Sequence, residues 1–288
     1  MKKVKVIITG CSSGIGKSTA LFLREKGWEV FPTARKDDDV KKLCQEGFNA
    51  YKVDLKNTHE IEIAVKHILE ISGGEMHALI NNAGFALRGA IEDLTIDDLR
   101  NQFDVNLFGV HEITKQLIPV FKQQKFGRII NISSIVAMVP FPFLGAYSAS
   151  KSALEAWSDA LHNELLAHNI YVTVVQPGPI LTKFQYNTEK TLERFNYREH
   201  VVHKGIYNKI NKQIEGGQRF TQGSIFALPP TVVSRKIWKN LLRKRPKRRI
   251  QVTLLSHILS YYTKYLPLWC VDRMSQKYLN KITGDKND

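Results

Sequence analysis

Tyr147 and Lys151, four residues apart in the stretch YSASK, could together carry out proton transfer. On a helix that spacing puts both side chains on one face, so both reach one site. An ammonium close to a phenol favours the phenolate and lowers the tyrosine pKa toward working pH. A tyrosine tuned in that way gives a proton to an oxygen or takes one from it, which is general acid–base work. Ser134 lies thirteen residues earlier, at the end of an apolar run, where a hydroxyl can hold a carbonyl oxygen beside the tyrosine. A tyrosine and a lysine at this spacing also occur on ordinary surface helices. A second motif at the same end of the fold sets this pair apart.

That motif is TGCSSGIG at residues 9–16. Gly10, Gly14 and Gly16 fall between an apolar, β-branched run (Val4 to Ile8) and a helical pattern from Lys17 to Lys26. Glycine there permits backbone angles that other residues resist and lets a ligand approach the main chain closely. The free amides of a helix start, with the helix dipole behind them, suit a phosphate. The order is G-x-x-x-G-x-G rather than the common G-x-G-x-x-G dinucleotide pattern.

The elements that must position these groups follow along the chain. Strands are expected at Glu29 to Arg35, Asn49 to Leu55, 77–84, 128–134, 171–178 and 249–254. Helices are expected around Val40 to Glu46, over Thr58 to Ile71, as one long segment from Thr95 to Gln124, over Tyr147 to Ala167, and over Pro230 to Leu242. Strands alternating with helices in this way require right-handed crossovers and a parallel sheet covered on both faces. The fold class is therefore α/β, a doubly wound parallel sheet of about seven strands. Residues 1–288 read as one domain: a core over 4–180, a loop at 181–229 with no clean period, and a C-terminal helical extension at 255–288. So long a loop in a compact domain is usually a lid or substrate loop.

Composition sets outer limits. A chain of 288 residues with 43% apolar content buries a full core. Cys11, Cys44 and Cys270 are scattered and odd in number, which argues for a reducing compartment and against a disulfide framework or a zinc site. No secretory pattern precedes the glycine turn, so a cytoplasmic enzyme without a metal is expected. The net charge of +15 has one dense run, Arg243 to Arg249, and no nucleic-acid-binding signature accompanies it. It reads as a solvated basic surface, and a nucleic-acid partner is not expected.

Taken together, TGCSSGIG, NNAG (81–84), the ISS–YSASK pair and QPG (176–178) resemble the short-chain dehydrogenase/reductase family over roughly residues 4 to 180. The resemblance implies a Rossmann fold and hydride transfer between a nicotinamide dinucleotide and an alcohol or carbonyl carbon. It implies that Tyr147 is the acid–base group, that Lys151 binds the nicotinamide ribose and tunes the tyrosine, and that Ser134 rather than Ser133 holds the substrate oxygen. Asn106, in DVNLFG, matches an asparagine that supports a proton relay through water; a side-chain amide stabilising a kink in a long helix is its structural alternative. For the cofactor the resemblance implies the turn residues Gly10, Ser12, Ser13, Gly14, Ile15 and Gly16, then Arg35, Asp54 and Leu55, and Asn82, Ala83 and Gly84 beside the adenosine. Pro177, Gly178, Ile180 and Thr182 are implied at the nicotinamide, together with Tyr147 and Lys151. ALEAWSDALHNEL (153–165) and QPGPILTKF (176–184) are similar to the branch of NADP-dependent aldehyde reductases and hydroxysteroid- and retinol-type dehydrogenases.

NADP(H) is expected over NAD(H). NAD-preferring folds place an acid at the tip of the second strand, and here that tip is Thr33-Ala34-Arg35-Lys36. The Arg35 guanidinium matches the geometry of a 2′-phosphate. Asp37 to Asp39 could fold back on the ribose but suit better the start of the next helix. The segment IVAMVPFPFLGA (135–146) with Phe184, Tyr186 and Phe195 suggests a pocket for an apolar carbonyl or alcohol substrate. Packing in the core or at a subunit contact is its plain alternative, and a homo-oligomer is compatible with either. A non-catalytic NADP-binding sensor or scaffold is the competing function. The tail from Ser256, broken by Pro267, could touch a membrane weakly or cover the sheet or a subunit neighbour.

Overall fold

The computed structural model describes residues 3–198, 201–215, 227–262 and 267–283. The seven strands are β1 (Lys5–Ile8), β2 (Glu29–Ala34), β3 (Tyr51–Lys52), β4 (Ala78–Asn81), β5 (Gly127–Ile132), β6 (Ile170–Gln176) and β7 (Arg249–Gln251). They form one parallel sheet in the order β3-β2-β1-β4-β5-β6-β7. The chain runs outward from β1 in one direction to β3, then returns past β1 to build β4 to β7. The strand order thus reverses between β1 and β4, and a crevice opens beyond their carboxyl ends.

Strand alternation explains the two cores. Val6 and Ile8 point to one face with Val30, Ile80, Ile130 and Val175, where α1 (Gly14–Glu25) and α9 (Pro230–Leu241) supply Ala20, Leu23, Val233 and Ile237. Ile7 points to the other face with Phe31, Leu79, Ile129 and Val172. There α3 (Thr58–Ile71) contributes Ile61, Val65 and Ile68, and α5 (Gly109–Gln123) contributes Ile113, Leu117 and Phe121. With both faces covered, the strands need continuous apolar runs, which is how the central ones read.

Several elements differ from their sequence reading. The third strand pairs only at Tyr51–Lys52, because it lies at the sheet edge and meets β2 for two residues. The long helix is three pieces: α4 (Ile96–Phe103), a π-helical turn Asp104–Phe108, and α5. Thr95 caps α4 as expected, with Asp98 completing a reciprocal capping box. The seventh strand stops at Gln251, since Thr253 and Ser256 then hydrogen-bond to each other and start α10 (Leu254–Tyr262). The described part of the aperiodic loop is mostly helical, with α7 (Phe184–Lys190), a 3-10 segment Thr191–Tyr197, and α8 (Lys204–Glu215); residues 199–200 and 216–226 of that loop lie outside the described residues. Its apolar residues pack against other loop and wall residues rather than the sheet, so no sheet-facing stripe was legible. The remaining helices are α2 (Asp37–Gln45), α6 (Gly145–Leu165) and α11 (Leu268–Thr283). Among the described residues no helix is long and apolar enough to cross a membrane.

Candidate active site

The glycine turn forms as its composition dictates. Gly10 and Gly14 have φ of +71° and +62°, the left-handed region that favours glycine. A Cβ on Gly16 would lie 2.3 Å from the Asn82 side-chain nitrogen and 2.4 Å from the Gly10 carbonyl, so no larger residue fits. Ser13, which precedes α1, makes no capping hydrogen bond, leaving the first amides of the helix open to an acceptor. Asn82 turns toward this loop: its Nδ2 donates to the carbonyls of Thr9 and Gly10 at 2.8 and 3.0 Å. The Thr9 hydroxyl in turn accepts from the amides of Asn82 and Ala83, both at 3.0 Å. Asn82 therefore ties the phosphate-type turn to β4.

Arg35 follows β2 and is exposed. With Lys36, Asp37, Asp38, Lys52, Asp54 and Glu60 it lines an open cavity of about 610 Å³. Asp37 to Asp39 lie in the first turn of α2, and Lys52 pairs with Asp37 at 3.0 Å, holding its carboxyl below the usual range. Asp54 accepts from the Lys56 amide at 3.0 Å. Leu55 is buried, its carbonyl pressed where a Cβ on Gly109 would stand. Ile15 is packed in part against the core on the α1 face, and Ser12 is exposed.

At the neighbouring strand ends the candidate proton-transfer groups converge. The Ser134 hydroxyl lies near enough to the Tyr147 phenol to act on its ionisation. Burial pushes the phenol up to about 12, with Ser134 working in the opposite direction. Lys151, also buried, donates to the Ile132 carbonyl at 2.7 Å, and burial pulls its ammonium down to about 8. This corrects the expectation that Lys151 lowers the tyrosine pKa: desolvation dominates both groups, and the ammonium engages the end of β5. Asn106, fully buried in the π-helical turn, donates to the Phe85 carbonyl and the Ser150 hydroxyl, both at 3.0 Å, and accepts from the Phe85 amide at 3.2 Å. Ser150 donates to the Tyr147 carbonyl at 2.8 Å, so Asn106 and Tyr147 are joined through it. A Cβ on Gly84 would lie 3.0 Å from the Asn106 amide oxygen and 3.5 Å from the Lys151 nitrogen, so Gly84 keeps this corner open.

The segment after β6 closes one wall. Pro177 accepts from the Ile135 amide at 3.1 Å, and Gly178 leaves no room for a Cβ against Thr253. Ile180 bridges to Leu228, and Thr182 lies within 3.3 Å of where a Cβ on Gly14 would stand. The lining around Tyr147 is apolar: Ala86, Ile135, Val136, Val139 and Leu259 cluster with it, and Leu255 and Val271 pack against them. The C-terminal helices therefore cover the site rather than the sheet, a contact that the tail's own periodicity did not reveal.

Comparison with known proteins agrees with this geometry. The short chain dehydrogenase family model matches residues 4–193. The chain belongs to that family. This short-chain dehydrogenase is 34% identical to the uncharacterized oxidoreductase YbbO of Escherichia coli K12, over 94% of this chain and 93% of that one. It is 30% identical to an NADPH-dependent 3-dehydrocapnine reductase of Ornithobacterium rhinotracheale, over 97% and 98% of the two chains. In fold it is similar to a short-chain dehydrogenase from Streptomyces avermitilis, with a TM-score of 0.74 at 22% identity over 99% and 98% of the chains.

Sequence reasoning missed Glu155, the acid four residues beyond Lys151 on the same helix face. Its spacing was visible, but its partners come from three strands. Phe184 was assigned to the lid without its contact: its ring centroid lies 5.8 Å from that of Tyr147.

Proposed function

We propose that this oxidoreductase interconverts an apolar aldehyde or ketone and its alcohol with NADP(H), using Ser134, Tyr147, Lys151 and Asn106 as its acid–base set. The observation that carries the reading is the buried Tyr147 phenol, acted on by the Ser134 hydroxyl inside an otherwise apolar cluster. The glycine cradle, into which no Cβ fits at Gly16, and the open amides of α1 fit a dinucleotide pyrophosphate. Gly10 to Gly16, Gly84, Gly178 and Thr182 would hold the cofactor, with Arg35 and Lys36 at the 2′-phosphate. When bound, the nicotinamide supplies or accepts the hydride. Ser134 fixes the substrate oxygen, and Tyr147, protonated at neutral pH, delivers the proton that an alkoxide needs. Lys151, charged below about pH 8, would hold the nicotinamide ribose. Asn106 keeps the π-helical turn and the α6 start in register through Phe85 and Ser150.

The NADPH-dependent relative supports the choice of dinucleotide. Following NADPH absorbance across medium-chain and ring-bearing aldehydes and ketones, against short charged ones, tests the reading. Turnover only of short charged carbonyls would overturn the apolar pocket; dinucleotide binding with no turnover of any carbonyl would favour the sensor. The proposal extends to a weak contact of the tail with an anionic membrane. Leu254, Ile258 and Trp269 are exposed on α10 and α11, and the Arg273 guanidinium sits 5.4 Å over the Trp269 ring.

A further inference from the structure

Tyr147, Lys151, Glu155 and Asp159 recur every four residues along α6 and share one face of it. Glu155 is buried, and a buried carboxylate is costly unless its oxygens are satisfied. Here they are. Ser133 Oγ donates to Oε1 at 2.6 Å, and Gln176 Nε2 lies 2.9 Å from each oxygen. An Arg249 guanidinium nitrogen stands 3.5 Å from Oε2 while the same guanidinium pairs with Asp159 at 2.7 Å. Ser133 directly follows β5, Gln176 ends β6 and Arg249 opens β7. Gln251 of β7 completes the set by donating to Gln176 Oε1 at 3.1 Å.

Two of these partners adjoin the working residues. Ser133 precedes Ser134, and its amide donates to the Val175 carbonyl at 2.8 Å. Gln176 precedes Pro177, whose carbonyl receives the Ile135 amide. On the other side, Lys151 holds Ile132, the residue before Ser133. Lys151 and Glu155, one turn apart on α6, thus grip consecutive residues of the strand that delivers Ser134.

We infer that Glu155 is a positioning residue for the proposed proton transfer. It clamps the ends of three strands so that Ser134 is held against Tyr147, and it supplies the negative charge that offsets the buried Lys151 ammonium. The charged and titratable groups around it are Tyr147, Lys151, Asp159 and His162 on α6 and Arg248 and Arg249 from the β7 side. Its described partners on β5 and β6, Ser133 and Gln176, are neutral. Its field raises the Lys151 pKa against the desolvation that lowers it. Glu155 exchanges no proton with substrate in this role.

The inference rests on the acid–base reading above, so one of its tests is independent of turnover. In full-length protein with 13C-labelled lysine, the Lys151 signal, assigned by its loss in Lys151→Arg, is titrated by NMR. In Glu155→Gln its midpoint moves down by about one pH unit, because an opposite charge has been removed nearby. In steady-state assays Glu155→Gln loses about 10-fold or more in kcat, while NADPH affinity at pH 6.5 stays within about threefold and the alkaline limb of the rate profile shifts down with Lys151. Ser133→Ala, which removes one hydrogen bond and no charge, loses about threefold in kcat with the Lys151 midpoint unchanged. An unmoved Lys151 midpoint in Glu155→Gln, or a lowered melting temperature with wild-type kcat and pH profile, overturns the inference. Should Glu155→Gln fail to fold, Glu155→Asp decides: reduced kcat with an unmoved Lys151 midpoint supports a clamp carrying charge, and wild-type kcat overturns it. A wild type that turns over no carbonyl while Glu155→Gln still shifts Lys151 indicts the proposed function, not Glu155.

Discussion

Phe184, the first residue of α7, stacks at a tilt of 47° on Tyr147, 5.8 Å between ring centroids. The proposed lid therefore begins directly on the proposed acid–base group. Its far end is tied elsewhere: Arg194 and Arg198 donate to Asp98 at 2.5 and 2.8 Å, and the Tyr207 hydroxyl donates to Asp93 at 2.6 Å. Phe184 is half-free over the pocket while the segment behind it is anchored. Replacing it with alanine removes apolar contact to the substrate and leaves the proton donor in place. Phe184→Ala should raise KM for a medium-chain aldehyde about 10-fold and change kcat less than threefold, measured by NADPH absorbance.

Removing only the phenolic proton isolates the chemistry. Tyr147→Phe should lower kcat by about a thousandfold or more while NADPH affinity, read by fluorescence titration, stays near wild type. A rate within a few-fold of wild type would refute the assignment.

Lys151 sets a pH dependence. Burial lowers its pKa to about 8, so the ammonium is present below that value and lost above it. NADPH affinity should be constant from pH 6 to 7.5 and weaken progressively above pH 8. Lys151→Met should bind weakly throughout, without that break.

Cofactor choice is proposed to depend on Arg35. The Ala34→Asp, Arg35→Ala double variant should shift the ratio of kcat/KM for NADPH over NADH toward NADH by about 100-fold, since a guanidinium–phosphate pair is exchanged for an acid on the ribose. A wild type preferring NADH would refute the assignment; a preference for NADPH unmoved in the variant would leave Arg35 as a surface charge.

The lid anchor makes stability acid-sensitive. Burial works to raise the Asp98 pKa, but Arg198, the Thr95 amide and Arg194 hold it down at about 2. A depressed carboxyl stabilises the fold fully above its unfolded value near 4 and loses that contribution as pH falls toward 2, here on the order of 2 kcal/mol. Asp98→Asn should lower the melting temperature at pH 7 by several degrees, and the difference from wild type should shrink by pH 3.

The tail is tested with vesicles. Full-length protein should co-sediment with vesicles rich in phosphatidylserine at low salt, and a chain ending at Thr253 should not. Equal behaviour of the two would end the membrane reading.

The alternation of strands and helices, the glycine turn and the Tyr147–Lys151 spacing were all legible locally. Each depends on periodicity or on backbone freedom within a few residues, which a linear pattern carries directly. Ser134 was placed by its distance from Tyr147, and in the structure its hydroxyl acts on the buried phenol. What the line of residues could not reveal depends on long-range burial. The π-helical turn at Asp104–Phe108 exists where Asn106 reaches Phe85 and Ser150, partners 21 and 44 residues away. The lid took helical form because its apolar side chains meet Phe143 and one another rather than the sheet. Lys151 donates to the Ile132 carbonyl, and Glu155 gathers partners from β6, β7 and the residue after β5, because charge in a low-dielectric interior goes to whatever partners the packing supplies. Spacing determined which groups could meet at the sheet edge, and desolvation in the assembled fold decided their protonation and their partners.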